Sequence, residues 1–243
     1  MRLLIKFPSR SRPEKFMRVF QLYENMLSGE HAVMFVVTMD EEDSTMNNRM
    51  IRSFLENRTV PVRYFYGNSK SKIEAVNANL ENLDADVLLL ASDDMEPEYP
   101  FYDSLIYQKF QEYFPNYDGA LKFHDGLRND DLMTLCVMGW PLYKKFGYIY
   151  HPDYTSLYCD TEQTIVLHQI QKLAICPELL CRHKWSKILD DLHTRNESTY
   201  LYEKDKLVFD RRKLMNFEID KLLKFEERLP DGTIPRLSMQ SSY

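Results

Sequence analysis

Two adjacent carboxylates, Asp93 and Asp94, follow the apolar run VLLLA with only Ser92 in between. Such a run predicts a buried strand over residues 87–91, so both carboxylates would project from a rigid strand end. Adjacent carboxylates repel each other unless a cation or a donor lies between them, and hard oxygen ligands are what Mg²⁺ or Mn²⁺ carrying a diphosphate requires. A bare pair of aspartates also fits a solvated turn or a helix cap, so the surrounding residues must decide between the two.

Arginines, carboxylates and small residues follow the three apolar runs that come earlier in the chain. They are Pro8, Ser9, Arg10 and Arg12, then Asp40, Glu41, Glu42 and Asp43, then Gly67 and Asn68. In open parallel sheets, ligands bind outside the carboxyl ends of the strands. Arginine suits phosphate because its planar fork bonds bidentately, and an aspartate accepts hydrogen bonds from ribose hydroxyls or from the N–H of a base. The pattern favours a nucleotide-binding edge, although Arg10 and Arg12 fit exposed surface positions equally well.

Strands and helices alternate over the first 95 residues. Apolar runs predict strands at 3–7, 33–38, 62–66 and 87–91, and helical spacing predicts helices at 13–27, 46–55 and 73–83. Pro8 would end the first strand, and Ser11 with Glu14 forms a capping box before the first helix. Uninterrupted apolar strands separated by amphipathic helices indicate a Rossmann-like α/β fold, with a mostly parallel sheet flanked by helices.

The regular alternation of strands and helices ends after Asp94, and the sequence beyond it indicates an α+β half. Helices are predicted at 101–114, 160–172 and 207–229, and a strand at 119–123, with an aromatic-rich stretch through Tyr158. Asp160 followed by Gln163 would cap the helix at 160–172. A Ser-rich tail with Pro and Gly ends the chain.

Composition narrows the function classes. The 243 residues carry 31 Lys and Arg against 37 Asp and Glu, a net charge of -6, which excludes the cationic field that nucleic acid binding requires. The four cysteines show no CxxC spacing and no dense disulfide pattern, as expected in a reduced compartment. No signal peptide and no run of 18 apolar residues is present, so we expect a cytoplasmic protein without a transmembrane segment.

The order of the motifs resembles the family 2-like glycosyltransferases of the glycosyltransferase A (GT-A) fold over roughly residues 1–200. The matching segments are KFPSRSRPEKF, VTMDEED, NSKSKIEAVNANL, VLLLASDDMEP, VMGWPLYKKFGYIYHPDY, LYCDTEQ and LLCRHKW. The resemblance implies one GT-A domain, with a nucleotide-sugar-binding half at 1–95, an acceptor-side half at 96–200 and a C-terminal helix and tail at 201–243. It also implies inverting transfer of a sugar, with a UDP-sugar as the foremost donor, to a glycan or glycoconjugate acceptor.

The resemblance implies roles for residues on the donor side. Asp40 would hold the base or the ribose, and Lys72 and Asn77 would line the nucleotide pocket. Asp93 would touch the ribose or a water on the metal, and Asp94 would bind Mn²⁺ or Mg²⁺. The remaining donor-side candidates are Pro8, Ser9, Arg10, Arg12 and Ser92. Lys72 also fits an exposed surface position, and Asn77 also fits a side chain that bonds a neighbouring loop.

Further roles fall in the acceptor-side half. His183 would be a second metal ligand, since imidazole binds Mn²⁺. Asp160 would be the general base that takes the proton of the acceptor hydroxyl, with Glu162 in reserve. Trp140 would stack on a sugar, because aromatic faces pack against C–H-rich surfaces, although most aromatics nearby fit a core. His124 and Asp125 would also face the donor sugar or the acceptor.

Two other functions fit parts of the pattern. A sugar nucleotidylyltransferase shares the sheet and the metal, but FPSRSRPEKF lacks the glycine-rich loop that admits a triphosphate. A non-catalytic module of this fold would keep the architecture and bind no nucleotide. In the variant DxD motif, Ser92 replaces the first Asp, while Asp94 keeps the carboxylate that metal binding requires.

Overall fold

The computed structural model describes residues 1–184 and 194–224. The strands are β1 (Arg2–Pro8), β2 (Ala32–Asp40), β3 (Val62–Gly67), β4 (Val87–Leu90), β5 (Met95–Pro97), β6 (Ala120–His124), β7 (Val137–Gly139), β8 (Leu173–Leu179) and β9 (Cys181–His183). The helices are α1 (Pro13–Asn25), α2 (Arg49–Glu56), α3 (Lys72–Asn77), α4 (Tyr102–Tyr113), α5 (Trp140–Phe146), α6 (Cys159–Gln169), α7 (Thr194–Leu214) and α8 (Ile219–Lys224), with a 3₁₀ turn at Asn216–Glu218. No helix of the described part of the chain is long and apolar enough to cross a membrane.

Seven strands form one twisted sheet in the order β3-β2-β1-β4-β7-β6-β8. The first four strands of the chain run parallel, β7 runs antiparallel to both β4 and β6, and β6 pairs parallel with β8. A two-stranded ribbon of β5 and β9 lies apart from this sheet. The predicted α/β fold with a mostly parallel sheet is therefore confirmed, and the single reversed strand separates its two halves.

Two apolar layers cover the faces of the sheet, as the alternation along β1 requires. Leu3, Ile5 and Phe7 belong to the layer that includes α1, α2 and α4, while Leu4 faces the layer that includes α3, α5 and α6. In the first layer Phe7 contacts Phe16 edge to face at 5.1 Å between ring centroids. Because both faces are buried, the strands are uninterrupted apolar runs, which is what made them visible in the sequence.

Lys6 is a charged exception in the middle of β1, with no exposed surface. Its ammonium donates to the Thr38 hydroxyl and to the carbonyl of Ala78, 2.7 Å away. Thr38 in turn donates to Asn79 at 2.8 Å. Burial lowers the pKa of Lys6 to about 7, with a small opposing effect of Glu81. These hydrogen bonds fasten the end of α3 to the sheet.

We expect the stability of the protein to rise with pH between about 7 and 10 because of Lys6. In that window the unfolded chain binds a proton at Lys6 that the folded chain does not, so the free energy of unfolding gains up to about 1.4 kcal/mol per pH unit. Lys6→Met should flatten this rise in urea titrations at several pH values. Lys213→Met, at an exposed position, is the control. Parallel profiles for the original protein and Lys6→Met would show that Lys6 stays charged in the fold.

Both predicted capping boxes are wrong. Ser11 has a left-handed backbone (φ 59), Arg12 occupies the N-cap of α1, and the Ser11 N–H is bonded by Asp43 at 2.6 Å. Tyr158, not Asp160, is the N-cap of α6. In both places the N-cap lies one or two residues from the position that local spacing favours.

Two predicted helices are shorter than expected. α3 ends at Asn77 instead of 83, since Asn79 and Asn82 have left-handed backbones with φ of 63 and 59. The predicted helix at 207–229 is broken after Leu214 by a 3₁₀ turn in which the buried Phe217 has φ 51 and packs on Phe209, 5.5 Å between ring centroids. The predicted segment after residue 224, including the tail, lies outside the described residues.

Helix α7 is fastened to the loop and helix at residues 155–162 by buried polar contacts. Asp205, with no exposed surface, accepts hydrogen bonds from three successive backbone N–H groups, those of Thr155, Ser156 and Leu157, at 2.7 to 2.9 Å. Arg212 bonds both carboxylate oxygens of Glu162 at 2.8 Å. These contacts hold the loop and the helix that carry Asp160.

Loss of the Arg212 side chain should strongly destabilise the fold. Arg212→Ala leaves the Glu162 carboxylate buried without its cation, which costs about 3–5 kcal/mol in comparable ion pairs. Arg211→Ala is the matched control, because Arg211 pairs with Asp153 at 2.6 Å on the surface and such pairs contribute about 0–1 kcal/mol. Urea denaturation of the two variants compares them directly. Equal losses would mean that the buried pair adds no more than the exposed one.

Candidate functional site

The carboxyl ends of β1 and β2 bring Arg10 and Asp40 together. The parallel register pairs Pro8, the last residue of β1, with Thr38, so the segments that follow both strands leave the sheet side by side. Arg10 Nη1 lies 2.9 Å from Asp40 Oδ2, and Asp40 is only 6% exposed. Arg10 also reaches Glu42 at 3.0 Å. This edge therefore presents a carboxylate held by a half-exposed guanidinium.

A second carboxylate–guanidinium pair links the ends of β1 and β4. Arg12 Nη2 lies 3.0 Å from Asp93 Oδ1, and the Ser9 hydroxyl is 3.4 Å from Asp93 Oδ2. Burial raises the pKa of Asp93, and the charges of Arg12 and Lys15 and the Ser9 hydrogen bond offset part of that rise. Since Asp93 is 1% exposed, it contacts Arg12 and Ser9 rather than solvent. A direct contact with the ribose would require Arg12 to move.

Asp94 and His183 face each other although 89 positions separate them in sequence. The β5–β9 ribbon pairs Met95 with His183, and the Lys184 N–H donates to the carbonyl of Asp94 at 2.8 Å. The His183 N–H donates to the Asp125 carbonyl at 2.8 Å. As a result His183 Nε2 lies 3.8 Å from Asp94 Oδ2, both side chains being about one-fifth to one-quarter exposed. Backbone contacts on both sides thus fix the pair.

The electrostatics of Asp94 favour its charged form. Burial alone would raise the pKa of Asp94, but the neighbouring side chains of His183 and Ser92 and the nearby charge of Lys72 lower it well below the usual range. A deprotonated carboxylate beside an imidazole fits a divalent cation. No group of three or more possible protein ligands occurs within residues 1–184 and 194–224. Two protein ligands suit an ion of which the phosphates of a substrate complete the coordination.

Lys72 begins α3 beside this site. Its side chain is exposed, and its charge acts on Asp94 and on the Cys159 thiol, next to Asp160 in the chain. Ser71 caps the helix by accepting from the Glu74 N–H at 3.1 Å. Lys72 therefore lies between the end of β4 and the start of α6.

Asn77 fastens α3 to a neighbouring loop. Its amide nitrogen donates to the carbonyl of Tyr150 at 2.7 Å, and its amide oxygen accepts from the N–H groups of Ile149 and Tyr150 at 2.9 and 3.1 Å. These contacts support the structural alternative for Asn77 instead of a place in the nucleotide pocket. A polar residue on an apolar helix face needed a partner, and the loop supplies it.

The prediction that Trp140 stacks on a sugar is wrong. Strand β7 runs antiparallel to β4 and its last residue, Gly139, pairs with Val87 at the start of β4, so Trp140 lies at the amino edge of the parallel strands. The backbone N–H of Trp140 donates to the carbonyl of Asp86 at 2.8 Å, and the side chain is 4% exposed. Trp140 is a core residue on the edge opposite to the candidate site.

Asp160 and its reserve Glu162 differ sharply in environment. Asp160 is partly buried in the first turn of α6, and one carboxylate oxygen accepts from the Thr161 N–H at 2.8 Å. Its charge is felt by Arg128 across the site. Glu162 is 4% exposed and bonded by Arg212 and by Tyr154 at 2.6 Å. Glu162 is thus occupied by a structural ion pair, which leaves Asp160 as the available carboxylate.

Two carboxylates of the chain after residue 95 accept hydrogen bonds from backbone N–H groups. Asp125, expected to face the donor sugar or the acceptor, bonds the N–H groups of Leu127 and Arg128 and the hydroxyl of Thr134, at 2.8 to 2.9 Å. Asp205 was missed altogether, because an aspartate in a polar helix carries no sign that it is buried. His124 accepts a hydrogen bond from the Gly126 N–H at 2.9 Å.

Solved structures with a similar fold are sugar-transferring enzymes. A mannosyltransferase from Pyrobaculum calidifontis in complex with GDP-Man and Mn²⁺ is 10% identical, with a TM-score of 0.61 over 77% of this chain and 58% of that one. TarS of S. aureus in complex with UDP-GlcNAc is 12% identical, with a TM-score of 0.55 over 74% of this chain and 57% of that one. This similarity shows that the chain has the GT-A fold.

A third similar structure contains phosphoglyceric acid beside the nucleotide and the metal ion. It is glucosyl-3-phosphoglycerate synthase from Mycobacterium tuberculosis with Mn²⁺, UDP and phosphoglyceric acid, 10% identical, with a TM-score of 0.53 over 79% of this chain and 73% of that one. The chain spans less than three fifths of the length of the first two structures. No protein-family model matches the sequence, and a sequence search found no similar curated protein.

Proposed function

We propose that the protein is a metal-dependent, inverting glycosyltransferase that moves a sugar from a nucleoside-diphosphate sugar to a hydroxyl of a glycan or glycoconjugate. The observation that carries the proposal is the pairing of Asp94 with His183 at the carboxyl edge of a GT-A sheet, 3.8 Å apart. Two arginine–carboxylate pairs at the same edge provide recognition of a nucleotide. The neighbours named above bind GDP-Man, UDP-GlcNAc and UDP, and we propose a UDP-sugar here.

On the donor side, each pair has a task that follows from its chemistry. Asp40 accepts hydrogen bonds from the base or the ribose, and Arg10 holds that carboxylate in place. Arg12 binds the diphosphate through its guanidinium, and the contact with Asp93 orients that guanidinium. Lys72 adds positive charge where the diphosphate meets Asp94. The Ser92 side chain helps to lower the pKa of Asp94 and so favours its charged form.

Asp94 and His183 would hold Mn²⁺ or Mg²⁺ together with the diphosphate. Such an ion offsets the negative charge that develops on the leaving nucleoside diphosphate. The two residues contribute one hard oxygen and one imidazole nitrogen, a set that accepts Mn²⁺ more readily than an all-oxygen site does. The β5–β9 ribbon prepares this geometry before the donor arrives.

Asp160 would act on the acceptor. Its free carboxylate oxygen takes the proton of the acceptor hydroxyl while that oxygen attacks the anomeric carbon and the bond to the diphosphate breaks. The Thr161 N–H holds the other oxygen, so the side chain keeps one orientation. Attack from the face opposite to the leaving group inverts the anomeric configuration.

The test is calorimetric binding of uridine, guanosine and thymidine diphosphates with and without Mn²⁺. One nucleotide, expected to be UDP, should bind at least about ten times more tightly with the ion, which corresponds to about 1.4 kcal/mol. Donor hydrolysis and transfer to saccharide acceptors, followed by NMR of the anomeric proton, then checks the reaction and its stereochemistry.

Other outcomes identify other functions. If none of the three nucleotides binds, the protein is a non-catalytic module of this fold. If it releases pyrophosphate from a nucleoside triphosphate and a sugar phosphate, it is a nucleotidylyltransferase. A product that retains the anomeric configuration would remove Asp160 from the role of base.

A further inference from the structure

Helix α7 carries a row of large apolar side chains on the face turned away from its own domain. Tyr200, Leu207 and Leu214 recur every seven residues and are 66%, 71% and 90% exposed. The opposite face holds the buried Asp205 and Arg212, which fasten the helix to the rest of the protein. Because a repeat of seven keeps side chains on one side of a helix, the three form a stripe about 21 Å long at 1.5 Å per residue, with about 10.5 Å between successive members.

Charged residues fill the gaps of this stripe in a particular order. Glu203 and Lys204 lie between Tyr200 and Leu207, and Asp210 and Arg211 lie between Leu207 and Leu214. All four are exposed. Residues at equal distances from Leu207 on the two sides therefore carry opposite charges.

We propose that two copies of this chain dimerise by packing their α7 helices antiparallel across a two-fold axis at Leu207. In that register Leu207 meets Leu207 of the second copy, and Tyr200 meets Leu214. Glu203 then faces Arg211, and Lys204 faces Asp210, each pair occurring twice. A two-fold interface must be self-complementary, and this sequence meets that condition in both its apolar and its charged positions.

A parallel arrangement of the same helices would be unfavourable. In parallel register each charged residue would face its own copy, Glu203 against Glu203 and Arg211 against Arg211, and like charges repel. Antiparallel packing turns the same four residues into attractive contacts, and charges that flank an apolar seam set partner choice and orientation. The charge pattern thus selects a second copy in one direction.

Two of the charged residues already have partners within the protomer. Arg211 pairs with Asp153 at 2.6 Å and Asp210 with Lys206 at 2.5 Å, with both members of each pair about half exposed. Exposed pairs contribute little and leave the charged groups able to bond a second partner. The apolar side chains supply the main contact, and the charges supply the register.

Sedimentation velocity of the full chain from about 1 to 100 µM tests the dimer. We expect the mass of two chains at the upper concentrations and a monomer for Leu207→Glu, which places two carboxylates against each other on the axis. Met50→Glu, a change of the same kind at a position 53% exposed on α2, should leave the dimer intact. A monomer at 100 µM for the unchanged protein, or a dimer for Leu207→Glu, would overturn the proposal.

A charge exchange separates this interface from any other occupant of the stripe. Glu203→Lys sets a lysine against Arg211 of the second copy and should weaken the dimer at least about tenfold, or about 1.4 kcal/mol. Adding Arg211→Glu to the same chain restores opposite charges and should restore dimerisation. A different protein on the same stripe would not be recovered by the exchange, so failure of the double variant to dimerise would also overturn the proposal.

Discussion

Asp94→Asn is expected to remove the stimulation of nucleotide binding by Mn²⁺ and to lower kcat/KM by at least about 100-fold, more than the 10–100-fold that loss of an outer-shell partner costs. The amide keeps the size of the side chain, and the hydrogen bond from the Lys184 N–H to the backbone carbonyl of residue 94 is unchanged, so the strand end should stay in place. What disappears is the negative charge that the low pKa of Asp94 maintains. Calorimetry with and without Mn²⁺, beside initial rates, measures both effects.

Asp93→Asn is the matched control at the neighbouring position. Asp93 is buried under Arg12, so its replacement should weaken nucleotide binding equally with and without the metal, by displacing the guanidinium. The ratio of affinities with and without Mn²⁺ therefore distinguishes the two aspartates. If Asp94→Asn kept that ratio while Asp93→Asn lost it, the metal ligand would be Asp93.

Much of the parallel half was predictable because its signals are local. Each of its four strands is a short apolar run, and the residues that end them, such as Asp40 and Asp94, follow the runs directly in sequence. The sheet edge then brings those residues together without further information. The order β3-β2-β1-β4 is the result that right-handed crossovers give.

The half after residue 95 was harder to predict because its placement depends on one short reversed strand. Strand β7 has three residues, too few to show a period, and its direction decides that Trp140 lies on the far edge. The pairing of Asp94 with His183 likewise depends on a ribbon of two three-residue strands. The order of the motifs identified Asp94 and His183 as candidates, but only the tertiary structure shows that their side chains lie 3.8 Å apart.

Buried polar residues were also hidden from sequence patterns. Lys6 lies within an apolar run, where the sequence gives no sign of a structural role for it. In the structure it connects β1 to the end of α3 by hydrogen bonds. The sequence allows Glu162 as a second candidate base, but in the structure Arg212, 50 residues away, bonds its carboxylate. A carboxylate that serves the fold and one that serves chemistry look alike in sequence, and their partners tell them apart.

Asp160→Asn is expected to lower kcat by about 10²–10⁴-fold, the usual contribution of a general base, while nucleotide and Mn²⁺ binding stay within about twofold. The asparagine oxygen still accepts from the Thr161 N–H, so the start of α6 is kept and the free energy of unfolding should change by less than about 0.5 kcal/mol. Rates, calorimetric affinities and urea denaturation of the same preparation separate these effects.

The comparison with Glu162→Gln makes the assignment decisive. That change weakens the buried pair with Arg212 and should cost stability without a comparable loss of kcat in the fraction that stays folded. If the pattern were reversed, with kcat kept in Asp160→Asn and lost in Glu162→Gln, the base would be Glu162 and its ion pair would have to open during turnover. The Arg212 side chain, which comes from α7, is only 4% exposed in this ion pair. Opening the pair would therefore require α7 to separate from α6. For that reason we expect Asp160 and not Glu162 to be the base.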